Sequence, residues 1–173
     1  MVVVHEFGED GAVASAGCTA GGRRIGCWLI FQPDHDAHVL SVYSGLGVLV
    51  AQMLVDPDSY HPRGPRVDVI VPGEEAVWRI RNAGYLGLSC ERYKDGRSSG
   101  LFVDFWPGGA VHMAGTMEDD MRVGCWRYYG QDGSLFLEGM MAADKPTGTW
   151  RVYWEDGEFK EYPAEVVSRI YKL

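Results

Sequence analysis

"GTWRVYWEDGEFKE" occupies Gly148 to Glu161, and "GCWRYYGQDGSLFLE" occupies Gly124 to Glu138. The two stretches are nearly one line written twice, with tryptophan after glycine and Asp-Gly at the same offset. Working outward with the glycines as a ruler, Gly100, Gly124 and Gly148 are 24 apart, as are Gly109, Gly133 and Gly157, and Gly115 and Gly139. Phe102, Trp126 and Trp150 stand two positions after the first set, and Phe105, Tyr129 and Tyr153 five after. The beginning of the chain keeps the ruler: Gly11, Gly17 and Gly26 have the intervals of Gly109, Gly115 and Gly124, with Trp28 and Phe31 in phase. A fixed period of this size is the signature of a repeat architecture.

Within each unit, "CWRYYG" and "SLFLEG" are short runs rich in β-favouring aromatics, separated by "QDG" or, in the next unit, by "WEDG". Asp-Gly between such runs signals a hairpin, because glycine accepts the positive φ that a side chain resists. "MAADKPTG" reads as a longer return loop, since Pro146 cannot donate to a ladder. Each unit is then one hairpin, and consecutive hairpins continue an antiparallel meander that advances about 10 Å per unit. The tryptophans recur along one face like rungs. Alternation sets Trp126 and Tyr128 on the face opposite Arg127 and Tyr129.

The middle is looser. Gly26 to Gly100 is 74 residues, two more than three periods. "WRIRNAG" (Trp78 to Gly84) resembles "WRVYWEDG" with one residue missing, "YKDGRSSG" (Tyr93 to Gly100) reads as a turn into the next unit, and "SYHPRGP" around Pro62 reads as a loop. After Pro163, Val166, Val167, Ile170 and Tyr171 make an amphipathic helical stripe, read as a helix covering the last unit's apolar edge. The expected organisation is one continuous domain: repeat region 1–41, a diverged or inserted section 42–77, hairpin repeats 78–162, and a capping helix 163–173. The expected fold is mainly β, an elongated single-layer antiparallel meander of 24-residue hairpins with that short helix.

Composition agrees with a turn-rich β chain: 173 residues with 23 glycines and 8 prolines, 46% hydrophobic and 12% aromatic. The start, "MVVVHEFGEDG", lacks a basic segment followed by a long apolar one, so no signal peptide is expected. Val48 to Val55 is too short to span a membrane. Four cysteines without CxxC spacing suit reduced thiols, with Cys27 and Cys125 packing beside tryptophan at equivalent positions. The net charge of −8 argues against nucleic acid and anionic lipid and allows a basic protein partner. It is uneven: residues 1–62 carry −5, residues 63–100 carry +2, and residues 101–173 carry −5.

The pattern G-x-W-x-x-Y-x-x-[DN]-G, followed by an E-G pair and a return turn to the next glycine, resembles the MORN-repeat variant. Residues 88–161 and 5–34 carry the resemblance, while "GGRR" and "KPTG" replace the usual Asn-Gly-Lys turns and Asp104 takes an aromatic position. Proteins of that kind are often found as antitoxin or immunity components beside bacterial toxins. The resemblance therefore implies a cytoplasmic binding protein that neutralises a cognate toxin and is not an enzyme. The alternative it implies is a structural or scaffolding MORN-type protein, membrane-associated in some cases, without a toxin partner.

No nucleophile signature such as GxSxG and no phosphate loop ahead of a helix is present, so neither catalytic residue nor cofactor is expected. "DHDAH" (Asp34 to His38) groups two histidines and two carboxylates, but it stands where other units have a turn and lacks a separated third ligand, so no metal is expected. His112 reads as a surface or edge residue. The candidate partner-binding residues are the carboxylates Glu118, Asp119, Asp120, Glu155, Asp156 and Glu158, with Trp106 and Trp154 as aromatic anchors. Acidic loops of this kind suit a basic toxin domain, and tryptophan is enriched at hot spots. Phe105, Tyr129 and Tyr153 are expected in the ladder instead.

Overall fold

The structure, a computed structural model, describes residues 1–30, 38–55, 66–82 and 87–173. The strands are Val2–Phe7 (β1), Val13–Ala20 (β2), Arg23–Ile30 (β3), His38–Tyr43 (β4), Leu49–Val55 (β5), Val67–Ile70 (β6), Val77–Asn82 (β7), Leu88–Lys94 (β8), Arg97–Phe105 (β9), Val111–Glu118 (β10), Met121–Tyr129 (β11), Leu135–Ala142 (β12), Lys145–Tyr153 (β13) and Phe159–Pro163 (β14). One helix, Ala164–Tyr171 (α1), follows at once. The chain is mainly β, strands pair antiparallel with their chain neighbours, and the helix stands where the amphipathic stripe puts it. The described residues of the section 42–77 share this architecture, since they carry the end of β4, then β5, β6 and the start of β7.

The expected single layer is not what forms. The meander breaks between β5 and β6 into a five-stranded sheet, β1 to β5, and a nine-stranded sheet, β6 to β14. The two share a core: Cys18, Cys27, Leu29, Leu40 and Val42 of the first pack in one buried cluster with Ile80, Leu88, Cys90, Val103 and Phe105 of the second. The physical reason is the composition of β7 to β9, whose alternate residues form an apolar face that one layer would leave in water. Covering such side chains is worth about 1.5 to 3 kcal/mol each. The segment "SYHPRGP" and the residues Asp34, His35 and Asp36 lie outside the described residues.

Two kinds of turn recur among the described residues. At Gly8, Ser44, Trp106, Gly130 and Trp154 the backbone N–H bonds the carbonyl four residues on, and a glycine three residues on, at φ near +80°, donates back. Asp10, Asp132 and Asp156 brace three of these turns by accepting the N–H two residues later. The other kind is a two-residue hairpin at Gly21-Gly22, Asp95-Gly96, Asp119-Asp120 and Ala143-Asp144, with positive φ at both positions, where mirror-type turns match strand twist. "MAADKPTG" is therefore no long return loop. Ala142 pairs with Lys145 across a tight turn, and Pro146 sits inside β13 opposite Met141.

The glycines beneath the tryptophans are fixed by packing. A Cβ on Gly17, Gly115 or Gly139 would come within 2.6, 2.3 or 2.1 Å of ring atoms of Trp28, Trp126 or Trp150, respectively. Trp126 and Trp150 join Phe102, Tyr128 and Leu137 in a second cluster, on the face of the nine-stranded sheet away from the five-stranded one. Tyr129 belongs instead to the core between the sheets, as alternation requires. Trp28 is equally buried but belongs to the other sheet, so the tryptophans do not form one line of rungs. Trp78 enters the inter-sheet core. Helix α1 lays Ala164 and Val167 on the second cluster, covering the sheet's face rather than its edge.

Candidate partner-binding surface

An antiparallel meander sends alternate turns to opposite ends of its strands, and this decides which acidic residues can act together. The turns at Trp106–Ala110, Gly130–Ser134 and Trp154–Glu158 lie at one end of the nine-stranded sheet, and those at Asp95-Gly96, Asp119-Asp120 and Ala143-Asp144 at the other. Strand β10, 8 residues long, separates the ends by roughly 25 Å. The expected acidic surface is thus divided: Glu155, Asp156 and Glu158 sit at one end, Glu118, Asp119 and Asp120 at the other.

At the latter end two of the carboxylates, Asp120 and Asp144, brace the hairpins. Asp120 Oδ1 accepts the Ser98 N–H at 2.7 Å, tying its hairpin to the neighbouring one. Asp144 does the same for Arg122, whose N–H and Nε both donate to Oδ1 at 3.0 Å. Those bonds hold the Asp144 carboxyl below its ordinary value. Asp119 stands 3.8 Å from Arg97, and Glu118 is exposed.

The other end carries a groove of ≈ 540 Å³ lined by Leu135, Phe136, Tyr153, Trp154, Glu155 and Asp156, with Ser134. Its lip is Trp154, 50% exposed. The turn beneath is fixed: Trp154 N–H donates to the Glu158 carbonyl at 2.9 Å, and Asp156 Oδ1 accepts the Glu158 N–H at 2.9 Å. Phe136, in the wall, lies 6.1 Å from Tyr171 of α1, ring centre to ring centre. In the next turn, Asp132 accepts both the N–H and the hydroxyl of Ser134, which hold its carboxyl below the usual range. Glu155 and Glu158 are exposed and have no ion-pair partner among the described residues. An aromatic slot with a carboxylate rim results.

Trp106, the other expected anchor, is pinned. Its Nε1 donates to the Tyr129 carbonyl at 2.8 Å, and its ring lies 4.0 Å from that of His112. His112 in turn meets Asp104, with Nδ1 and Oδ2 3.4 Å apart, so it is no plain surface histidine. Burial pushes the Asp104 carboxyl above its ordinary value. Ser89 is paired across the strands with Asp104, which stands between it and His112. That order sets Asp104, not His112, against the serine, which is not the order of a nucleophile and its base. Sequence reasoning noted Asp104 only as an odd residue at an aromatic position. It missed His5, whose Nε2 accepts the Val111 N–H at 3.0 Å and ties β1 to β10.

Among the described residues of the net-positive middle, each basic side chain has a carboxylate partner. Arg66 and Arg79 meet Asp68, Arg81 meets Glu91, Arg92 meets Glu74, Lys94 meets Glu75, and Arg97 meets Asp119. Among the described residues, no helix is long and apolar enough to cross a membrane, and no group of three or more His, Cys, Asp or Glu is placed to hold a metal. The four cysteines are free; Cys18, Cys27 and Cys90 are buried, and burial pushes the Cys18 thiol up to about 12. Cys125 is exposed, against the packing role expected for it. Comparison with protein-family models, with curated proteins and with solved structures finds no match.

Proposed function

We propose that this chain is an immunity or antitoxin-type protein of the cytoplasm, built of 24-residue MORN-like hairpins, that binds and neutralises a basic toxin domain. The observation that carries the reading is the slot at the β13–β14 turn. There a half-exposed tryptophan and Phe136 form an apolar cleft lined also by Glu155 and Asp156, with Glu158 in the same turn and Asp132 in the neighbouring one adding negative charge. An aromatic anchor within a charged rim is the anatomy of a specific protein interface. The repeat reading is supported by equal spacing of the Trp106, Gly130 and Trp154 turns and by the matching Gly115–Trp126 and Gly139–Trp150 packings.

Binding acts here by occlusion, so no catalytic group is required of this chain. Trp154 and the rim carboxylates would seat against a cationic cleft of the partner. Co-expression with a basic toxin domain encoded by a neighbouring gene, where one stands there, tests the reading: cells should survive with the wild-type protein and lose protection with Trp154→Ala combined with Glu155→Lys. Death of cells that hold abundant, folded wild-type protein refutes it.

A further inference from the structure

The five-stranded sheet covers only part of the nine-stranded one. Tyr129 of β11 lies beneath the smaller sheet and Arg127 reaches the Met1 carbonyl at 3.5 Å, while from Cys125 across much of β12 to β14 the same face carries exposed side chains, among them Met140, Thr149 and Phe159. Across it runs a row of alternating charge, one residue from each strand. Arg127 meets Glu138 at 3.1 Å, Glu138 meets Arg151 at 3.4 Å, and Arg151 meets Glu161 at 3.2 Å. The strand register places these four directly opposite one another in sequence. Tyr153 adds a hydroxyl to Glu138 at 2.7 Å. Beside the row lies a depression of ≈ 420 Å³ that includes Cys125, Met140 and Thr149.

We propose that a second copy of this chain docks on this face, giving a two-fold symmetric dimer with its axis parallel to the strands between β12 and β13. The charge row selects both partner and axis. Rotation about that axis reverses the lateral order of the strands, so Arg127 faces Glu161 of the copy and Glu138 faces its Arg151. The perpendicular in-plane axis would set each Arg against itself, and like charges so placed disfavour that arrangement. A symmetric interface must be self-complementary, and an even alternating row is. The row is neutral, so the face lacks the negative bias expected for a basic partner.

Size sets the strength. Four strands about 4.8 Å apart and about six residues at 3.3 Å span roughly 20 by 20 Å, on the order of 400 Å² per copy. Stable complexes bury about 800 Å² per partner. The dimer is therefore a weak, dissociating one. It leaves the strand ends, and with them the Trp154 slot, free.

Cys125 supplies a built-in reporter, since it alone of the four cysteines is exposed. Sedimentation velocity across a concentration series should show a monomer–dimer equilibrium, and the Cys125 thiol should react several-fold more slowly with a thiol reagent as dimer forms. Exchanging Arg151→Glu with Glu161→Arg keeps their mutual pair but sets like charges opposite one another across the axis, so dimer should vanish while circular dichroism shows a folded chain. Thr149→Arg, at an exposed position outside the row, should do the same with a gentler effect on the fold. A wild-type chain that stays monomeric into the hundreds of micromolar, a dimer unaffected by Thr149→Arg, or a dimer with undiminished Cys125 reactivity would each overturn the proposal.

Discussion

Eleven residues separate Gly115 from Trp126 and Gly139 from Trp150, and in each pair the indole lies where a Cβ on the glycine would be. The glycine is needed for space rather than for its dihedral freedom. Gly139→Ala should therefore destabilise by roughly 1–3 kcal/mol through overpacking, although alanine is ordinarily acceptable in a strand. Trp150→Ala, which empties a fully buried site, should cost about 3 to 5 kcal/mol. Denaturant melts that leave either variant at wild-type stability would remove the packing argument. His5 makes a pH-dependent contribution. Its Nε2 accepts an N–H, which only the neutral ring can do, and burial pushes its pKa down, with nearby Asp132 opposing. A depressed histidine pKa means the unfolded chain binds the proton more readily. Stability is then fully present above the ordinary histidine value and is lost as pH falls through it toward the folded one. His38 is shifted the same way, so the test is a difference: His5→Gln, which keeps an acceptor without titrating, should lose less melting temperature between pH 7.5 and pH 5.5 than wild type.

Among the elements, the helix shows most plainly what a sequence can and cannot disclose. Its limits and amphipathicity are local properties, and α1 occupies Ala164–Tyr171 within the stretch that the stripe marks. Which part of the stripe is buried depends on the sheet beneath. Val167 is 0% exposed and Ile170 63%, although both belong to the same apolar pattern. Val167→Asp should accordingly lower the melting temperature sharply, and Ile170→Asp should leave it nearly unchanged. Equal effects would show that the helix does not dock as described. The turns divide in the same way. Asp-Gly marked the turns at Asp132 and Asp156, since the side chain and the positive φ both act within four residues. Asp119-Asp120 and Ala143-Asp144 take positive φ without glycine, and Asp120 and Asp144 are secured by bonds to residues more than 20 positions away. No local reading reveals that.

At the scale of the whole molecule, one fact was out of reach of a periodicity argument. A ruler of glycines reports equivalent positions but not which sheet they join, so Trp28 and Trp126 look alike in sequence and lie in different sheets. The division of the acidic clusters was within reach, because turn parity alone sends Asp119-Asp120 and Glu155-Asp156 to opposite ends. That division makes the partner-binding proposal testable by contrast. Negative charge steers a basic partner over a distance set by the Debye length, about 8 Å at physiological ionic strength, so only charge near the docking site acts strongly. Glu155→Gln with Glu158→Gln removes two carboxylates from the slot's rim while sparing Asp156, which braces the turn. The association rate with the toxin domain should fall, and its dependence on salt should flatten. Glu118→Gln with Asp119→Asn removes as much charge from the far end, roughly 25 Å away, and should change the association rate little. Trp154→Ala should instead raise the dissociation rate, since truncating a central aromatic weakens the formed complex rather than the encounter. Stopped-flow kinetics at several salt concentrations separates the three. Equal slowing by both charge pairs would place the partner elsewhere than the Trp154 slot.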